Sequence, residues 1–231
     1  MTERLEPLGG GLSVFVTDAC RVTEDAFHLA KFAAPAPTDT VCDLGTGSGI
    51  LPLLWCRRNP PTHITAVERE AAFATLAQKA VDTFSLSDRI TVVTADWNDA
   101  PLDSGTFSLV TCNPPYFPFG AARQNPDPLV AAARHEDAPT MLSRLCHTAA
   151  RLLKKDGRFC LCHRPAHLPR VLAALREAGL VPRRLQFVQA TDKADAWLFL
   201  LEAGHQGELR VLPPLVRQQT GHHTDVYKRL Y

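Results

Sequence analysis

The feature that most restricts this chain is a glycine-rich turn, Asp43-Leu44-Gly45-Thr46-Gly47-Ser48-Gly49, set between a short apolar run and a segment of helical period. A strand, a glycine loop and a helix in that order open the α/β sheets whose ligands sit at the carboxyl ends of the strands. The alternation continues along the chain. Residues 41–44, 63–68, 90–95, 107–112 and 157–163 read as strands, and residues 49–58, 70–84, 138–153 and 168–178 as helices. Residues 185–190 and 196–202, separated by the polar Thr191-Asp192-Lys193, read as a closing antiparallel pair. The expected fold is therefore α/β and Rossmann-like, with a seven-stranded, mostly parallel sheet closed by an antiparallel strand. Residues 1–35 are expected to form a small N-terminal flap and helix, with Gly9-Gly10-Gly11 turning between two β-like runs. Residues 36–205 form the main domain, and residues 206–231 a C-terminal extension in which 209–212 can add an edge strand.

Composition narrows the class further. With 45% hydrophobic and 21% charged residues among 231, the chain has the makeup of a globular protein, not of a disordered or fibrous one. No apolar run approaches the ~18 residues of a membrane helix, and Met1-Thr2-Glu3-Arg4-Leu5-Glu6 lacks a basic and apolar leader. A cytoplasmic protein without membrane contact is expected. The seven cysteines are odd in number, scattered and set among apolar neighbours, which is no disulfide framework. Cys160-Leu161-Cys162-His163 has no second ligand pair at zinc spacing and alternates like a buried strand, so no metal is expected. A net charge of +1 hides an asymmetry: residues 1–150 carry 11 basic against 17 acidic side chains, residues 151–231 carry 14 against 7. That basic third suits a polyanionic partner, or it solvates helix and strand faces. Nothing in the sequence sets the oligomeric state, and a monomer is the starting expectation.

The loop spacing is G-x-G-x-G, not the G-x-G-x-x-G of pyrophosphate sites, and no P-loop lysine follows, which argues against a dinucleotide or a triphosphate. Asp43 at the strand end would repel phosphate but suits a cation such as the amino group of a methionine moiety. Glu68 ends the second strand 19 residues past Gly49, where a carboxylate can accept from both hydroxyls of a ribose. Asp96 ends the third strand, placed to accept an adenine amino proton, with Trp97 or Ala95 flanking the ring. Asp43, Gly45, Thr46, Gly47, Gly49, Glu68, Asp96 and Trp97, together with Asn113, describe a site for S-adenosylmethionine. Taken singly, Asp43 reads as a helix cap, Glu68 as a solvated strand end and Asp96 as a turn residue. Three acidic strand ends beside one glycine loop carry the ligand reading.

Asn113-Pro114-Pro115-Tyr116 follows the fourth strand, which is expected beside the first. An exocyclic amine such as adenine N6 is a poor nucleophile because its lone pair is delocalised into the ring. The side-chain oxygen of Asn113 and the backbone carbonyl of Pro114 can accept its two hydrogens and aim the nitrogen, a gain from orientation and fixed dipoles. Asn113, Pro114 and Tyr116 are thus the candidate catalytic residues, Tyr116 stacking on a flipped base, with Pro115 and Phe117 in the substrate pocket. The plainer reading is a proline-rich turn that ends a strand and buries aromatics.

These motifs resemble class I S-adenosylmethionine-dependent methyltransferases that modify planar nitrogens. At larger scale, residues 10–205 are similar to the bacterial tRNA1(Val) adenine-37 N6-methyltransferase family. The likeness runs through Thr23-Glu24-Asp25, the glycine loop, Asn113-Pro114-Pro115-Tyr116-Phe117 and Ala133-Arg134-His135-Glu136. It implies S-adenosylmethionine as cofactor, tRNA as partner, and methyl transfer to the exocyclic N6 of an adenine. Arg134 and His135 would then contact RNA phosphate or fix the acceptor loop, with Glu136 at the positive end of the next helix. The N5-glutamine methyltransferases of release factors share the acceptor loop, as do other RNA N-methyltransferases in variant form. The former carry a sizeable helical N-terminal domain, whereas only about 35 residues precede the core here. A catalytically silent RNA-binding factor is the non-enzyme alternative, and the intact N-P-P-Y run speaks against it.

Overall fold

The computed structural model describes residues 2–57, 60–114, 138–219 and 222–223. The chain opens with a hairpin, Arg4–Gly9 (β1) and Leu12–Val16 (β2), and a helix, Glu24–Ala33 (α1). Strands and helices then alternate: Thr40–Leu44 (β3), Ile50–Cys56 (α2), His63–Glu68 (β4), Ala71–Thr83 (α3), Ile90–Thr94 (β5), Phe107–Cys112 (β6), Ala138–Leu152 (α4), Leu153–His163 (β7), Leu168–Glu177 (α5), Val181–Thr191 (β8) and Ala196–Gly204 (β9). Three short strands follow, Arg210–Val211 (β10), Leu215–Gln219 (β11) and His222–His223 (β12).

The sheet order is β5-β4-β3-β6-β7-β9-β8-β11-β12, with β10 also paired to β8. From β5 to β7 every neighbour is parallel, and β9 runs antiparallel between β7 and β8. These are the seven expected strands in the expected open arrangement. The sheet is wider than expected: β10 and β11 lie parallel to β8, and β12 pairs antiparallel with β11. The edge strand foreseen at 209–212 is present as β10, while β11 and β12 were not foreseen. Their sequence is largely polar, so no apolar repeat betrays them.

Burial follows the pleat. Parallel strands covered on both faces read as nearly continuous apolar runs, and Val41, Cys42 and Leu44 of β3 are fully buried. On β7, Phe159 and Leu161 join the core under α4 and α5, while Cys160 and Cys162 join the core under α1 and α2. The cysteines are free thiols serving as small apolar residues. Helix α4 presents Met141, Leu142, Leu145, Cys146, Ala149 and Leu152 as one buried stripe, the spacing of an amphipathic helix.

A lone hairpin is marginal in water, so the N-terminal flap needs a surface to rest on. Leu8, Val14 and Val16 pack against Ala26 and Phe27 of α1, Ile50 and Leu53 of α2 and Ala80 of α3. Val14 and Val16 are fully buried, each worth roughly 1.5 kcal/mol or more. Among the described residues, no helix is long and apolar enough to cross a membrane.

At the amino ends of the parallel strands the basic third turns inward. Arg158 donates to the Asp39 carboxylate at 3.0 Å and to the carbonyls of Ala33 and Ala34. Arg184 donates through Nε to Glu202 at 3.0 Å and to the Phe32 carbonyl at 3.1 Å, its guanidinium over the Phe32 ring. Arg183 donates to the carbonyls of Gly157 and Gln206. Part of the C-terminal positive charge is thus consumed by the fold itself.

Candidate active site

Register sets the site. Leu44 lies opposite Val67 on β4 and opposite Cys112 on β6, so the glycine loop, Glu68 and Asn113 leave the sheet side by side. Glu68 in turn pairs with Thr94, which brings Asp96 and Trp97 to the same end of the sheet.

The loop is held by its own backbone. The N–H groups of Gly45 and Thr46 both donate to the Val67 carbonyl, at 2.8 and 2.9 Å, and Gly49 N–H donates to the Thr46 carbonyl at 3.1 Å. Gly45 has φ +71°, and a Cβ there would sit 3.2 Å from the Trp97 indole; Gly49 has φ +84°, with Ala77 Cβ at 3.3 Å from the same construction. Left-handed backbone and close neighbours coincide at both positions, so only glycine fits without strain. The flap reaches the loop as well. A turn at Thr17–Cys20, closed by Thr17 N–H to the Cys20 carbonyl at 3.0 Å and Cys20 N–H to Thr17 Oγ1 at 3.2 Å, sets Cys20 Sγ against Gly47.

The three acidic strand ends differ in surroundings. Asp43 is buried; Thr111 donates to its Oδ1 at 2.6 Å, and its Oδ2 has no hydrogen-bond partner among the described residues. Burial pushes its carboxyl up to about 7 against the pull of Thr111; nearby Thr46 adds a smaller pull without meeting hydrogen-bond geometry, and Glu68 pushes the same way as burial. Asp43 caps no helix, since Gly49 precedes α2. Glu68 is buried and accepts from Gly47 N–H at Oε2 and Glu70 N–H at Oε1, each at 2.8 Å; burial raises its carboxyl despite these bonds. A carboxylate offers about four acceptor positions, so two remain for a diol. At Asp96 burial pushes up but is outweighed by the backbone and side-chain N–H groups of Asn98, at 3.0 and 2.6 Å, and by Arg144 and Arg69, so its carboxyl is held below the usual range. Trp97 Nε1 is buried with no hydrogen-bond partner among the described residues.

On the acceptor side, Pro114 is buried and Asn113 half-buried at the end of β6. The Cys162 thiol donates to Asn113 Oδ1 at 3.1 Å. Pro115, Tyr116, Phe117, Arg134 and His135 lie outside the described residues. Thr23-Glu24-Asp25 opens α1, where Asp25 faces Arg164 at 3.6 Å and Glu24 faces Arg217 at 3.6 Å. Sequence reasoning missed Thr111, Asn98 and Cys162. Each looks like an ordinary strand or turn residue, and only cross-strand register or the turn geometry brings it to a functional atom.

Residues 24–178 match the methyltransferase small domain family. The chain belongs to that family. One relative is the tRNA1(Val) (adenine(37)-N6)-methyltransferase of Shewanella amazonensis, 32% identical over 189 residues that cover 81% of this chain and 78% of that one. The protein of the same name from Pectobacterium carotovorum is 35% identical over 150 residues, 62% of this chain but only 57% of the relative's length. Among solved structures, a predicted O-methyltransferase from Agrobacterium tumefaciens superposes with a TM-score of 0.69 at 24% identity, over 89% of this chain and 94% of that one; it shares the fold.

A methyltransferase small domain needs a pocket for a cationic methyl donor, and the described residues fit one. The Asp43 carboxyl with Oδ2 unpartnered among the described residues, the raised Glu68 carboxyl bonded to Gly47 N–H, and the Trp97 ring against Gly45 gather at the glycine loop. Among the described residues no group of three or more His, Cys, Asp or Glu side chains is arranged to hold a metal.

Proposed function

We propose that the chain transfers a methyl group from S-adenosylmethionine to the exocyclic N6 of adenine 37 in tRNA1(Val). The observation that carries this reading is the pairing of Leu44 with Cys112, because it sets the donor loop at Gly45 and the acceptor motif at Asn113 next to each other. The names of the relatives supply the substrate.

When bound, S-adenosylmethionine supplies an electrophilic methyl on a sulfonium centre. Asp43 Oδ2 would hold the amino group of its methionine part, Glu68 the ribose hydroxyls, and Asp96 with Trp97 the adenine end. Asn113 Oδ1 and the Pro114 carbonyl accept the two hydrogens of the acceptor amine, so the nitrogen lone pair leaves the ring plane and points at the methyl. The bound donor would supply the methyl, its sulfur–carbon bond being exchanged for a nitrogen–carbon bond to the acceptor. The carbonyl acceptors are too weakly basic to keep the proton, which passes to water. In this reading Tyr116 would stack on the base, Pro115 and Phe117 would contribute to its pocket, and Arg134 and His135 would contact RNA phosphate or fix the acceptor loop. Arg158, Arg183 and Arg184 are engaged within the fold itself.

The test is incubation with methyl-labelled S-adenosylmethionine and, in parallel, unmodified tRNA, ribosomal RNA, duplex DNA and release factor, followed by digestion. Label in N6-methyladenosine from tRNA alone is expected. Label in release-factor glutamine would keep the Asn113 chemistry and overturn the substrate.

A further inference from the structure

Asn113 works as an acceptor only while its carboxamide oxygen, and not its amide nitrogen, faces the incoming amine. The two ends differ little in shape, and rotation about the terminal torsion exchanges them. Cys162 distinguishes them. Cys112 pairs with Leu161 across β6 and β7, which sets Cys162 level with Asn113, and its thiol lies 3.1 Å from Asn113 Oδ1. Cys162 is fully buried in the core under α1 and α2, so its S–H is shielded from exchange with water partners. A thiol is a weak donor and donates to a carbonyl oxygen; an amide N–H in that place would face the weak acceptor sulfur.

We propose that Cys162 is a positioning residue for the acceptor amide: its S–H occupies one lone pair of Asn113 Oδ1 and holds the other lone pair toward the amine. The inference rests on the acceptor role given to Asn113 above. Because the thiol is a weak donor, it orients the oxygen while drawing little of its electron density, and the oxygen keeps its acceptor strength. Cys160 provides the control, two residues earlier on the same face of β7, equally buried, with its thiol turned to Glu202 at 3.8 Å.

The experiment measures kcat, KM for an unmodified tRNA1(Val) transcript and calorimetric Kd for S-adenosylmethionine on full-length wild type, Cys162→Ala, Cys162→Ser, Cys160→Ala and Asn113→Ala. Loss of one orienting hydrogen bond should lower kcat of Cys162→Ala about tenfold. Its KM and cofactor Kd should stay within about twofold of wild type on the same argument. Cys162→Ser, which restores a donor, should recover to within about threefold, and Cys160→Ala should turn over like wild type. Equal losses in Cys162→Ala and Cys160→Ala, or a serine variant as slow as the alanine one, would reduce Cys162 to packing and overturn the proposal. Wild-type turnover in Cys162→Ala beside an inactive Asn113→Ala overturns it while leaving the acceptor reading intact. Wild-type turnover in Asn113→Ala removes the acceptor reading and the positioning role together. If Cys162→Ala proves too unstable to purify, Cys162→Val fills the volume without a donor; slow turnover is expected, and wild-type turnover overturns the proposal.

Discussion

Asp39 and Asp43 stand at opposite ends of β3 and carry the same side chain into different surroundings. Asp39 is partly desolvated, which pushes its carboxyl up, but Ser108, Ala36 N–H and Arg158 together outweigh that and hold it below the usual range. Asp43 is buried and meets a threonine hydroxyl and no arginine, and its carboxyl rises to about 7. Glu202 and Glu68 repeat the contrast. Glu202, on the antiparallel β9 beside β8, is gripped by Arg184 with Arg158 close by, whereas Glu68, at the end of β4, has only backbone N–H partners among the described residues. At the amino ends of the strands the fold supplies its own cations and the acids are structural. At Asp43 and Glu68, among the described residues, it supplies only dipoles, whereas Asp96 at the same end also meets Arg69 and Arg144; the two raised carboxyls are the ones a cationic ligand would complete.

Substitutions at the two ends should therefore separate activity from stability. The largest effect is expected at the acceptor: Asn113→Ala should lower kcat at least about a hundredfold, with the cofactor Kd within about twofold, by single-turnover kinetics and calorimetry. Next, Asp43→Asn should weaken S-adenosylmethionine binding by about tenfold to a hundredfold, the value of a charge-assisted hydrogen bond in a buried site, without loss of urea resistance. A variant that bound normally would erase the distinction between the two ends. Arg184→Ala should do the reverse. Breaking the Glu202 pair should cost about 2–3 kcal/mol in urea unfolding, below the full value for a buried pair because the arginine side chain is 32% exposed, with kcat/KM unchanged.

The smallest effect is in pH dependence, and the two aspartates should oppose each other in sign. Asp43 is raised in the folded state, so ligand-free stability attributable to it falls as pH rises from its ordinary value of 3.8 toward about 7 and is level above that. Asp39 is lowered, so its contribution is present above 3.8 and is lost as pH falls through its folded value. Since a cationic ligand needs Asp43 ionised, the association constant for S-adenosylmethionine should climb about tenfold between about pH 6 and 8 and then flatten. Asp43→Asn should flatten that profile, and calorimetry across this range checks it.

Much of this was legible in the residues. The alternation of apolar runs and helical segments is forced by burial on both faces of a parallel sheet, so β3 to β9 could be read directly. The glycine loop and the acids at 43, 68 and 96 follow from strand ends, because a loop leaving a buried strand is where polar side chains can collect. What escaped was decided across the sheet. Thr111 under Asp43 and Cys162 beside Asn113 have no local signature; cross-strand register makes them neighbours of functional atoms. The fate of the basic third escaped for a related reason. Charge counts show how many arginines there are, while pairing with Asp39 and Glu202 depends on which strand ends the topology brings together.

The sequence by itself determined the fold class, the loop and the residue types proposed to meet a cation and an amine, because these depend on local periodicity, backbone sterics at glycine and the chemistry of single side chains. The tertiary structure alone decided which carboxylates are paired with arginine and which are buried and raised without one among the described residues. That outcome is electrostatic and long-range: it depends on burial and on groups such as Arg158, 119 residues from Asp39, and Thr111, 68 residues from Asp43, and no local pattern encodes it.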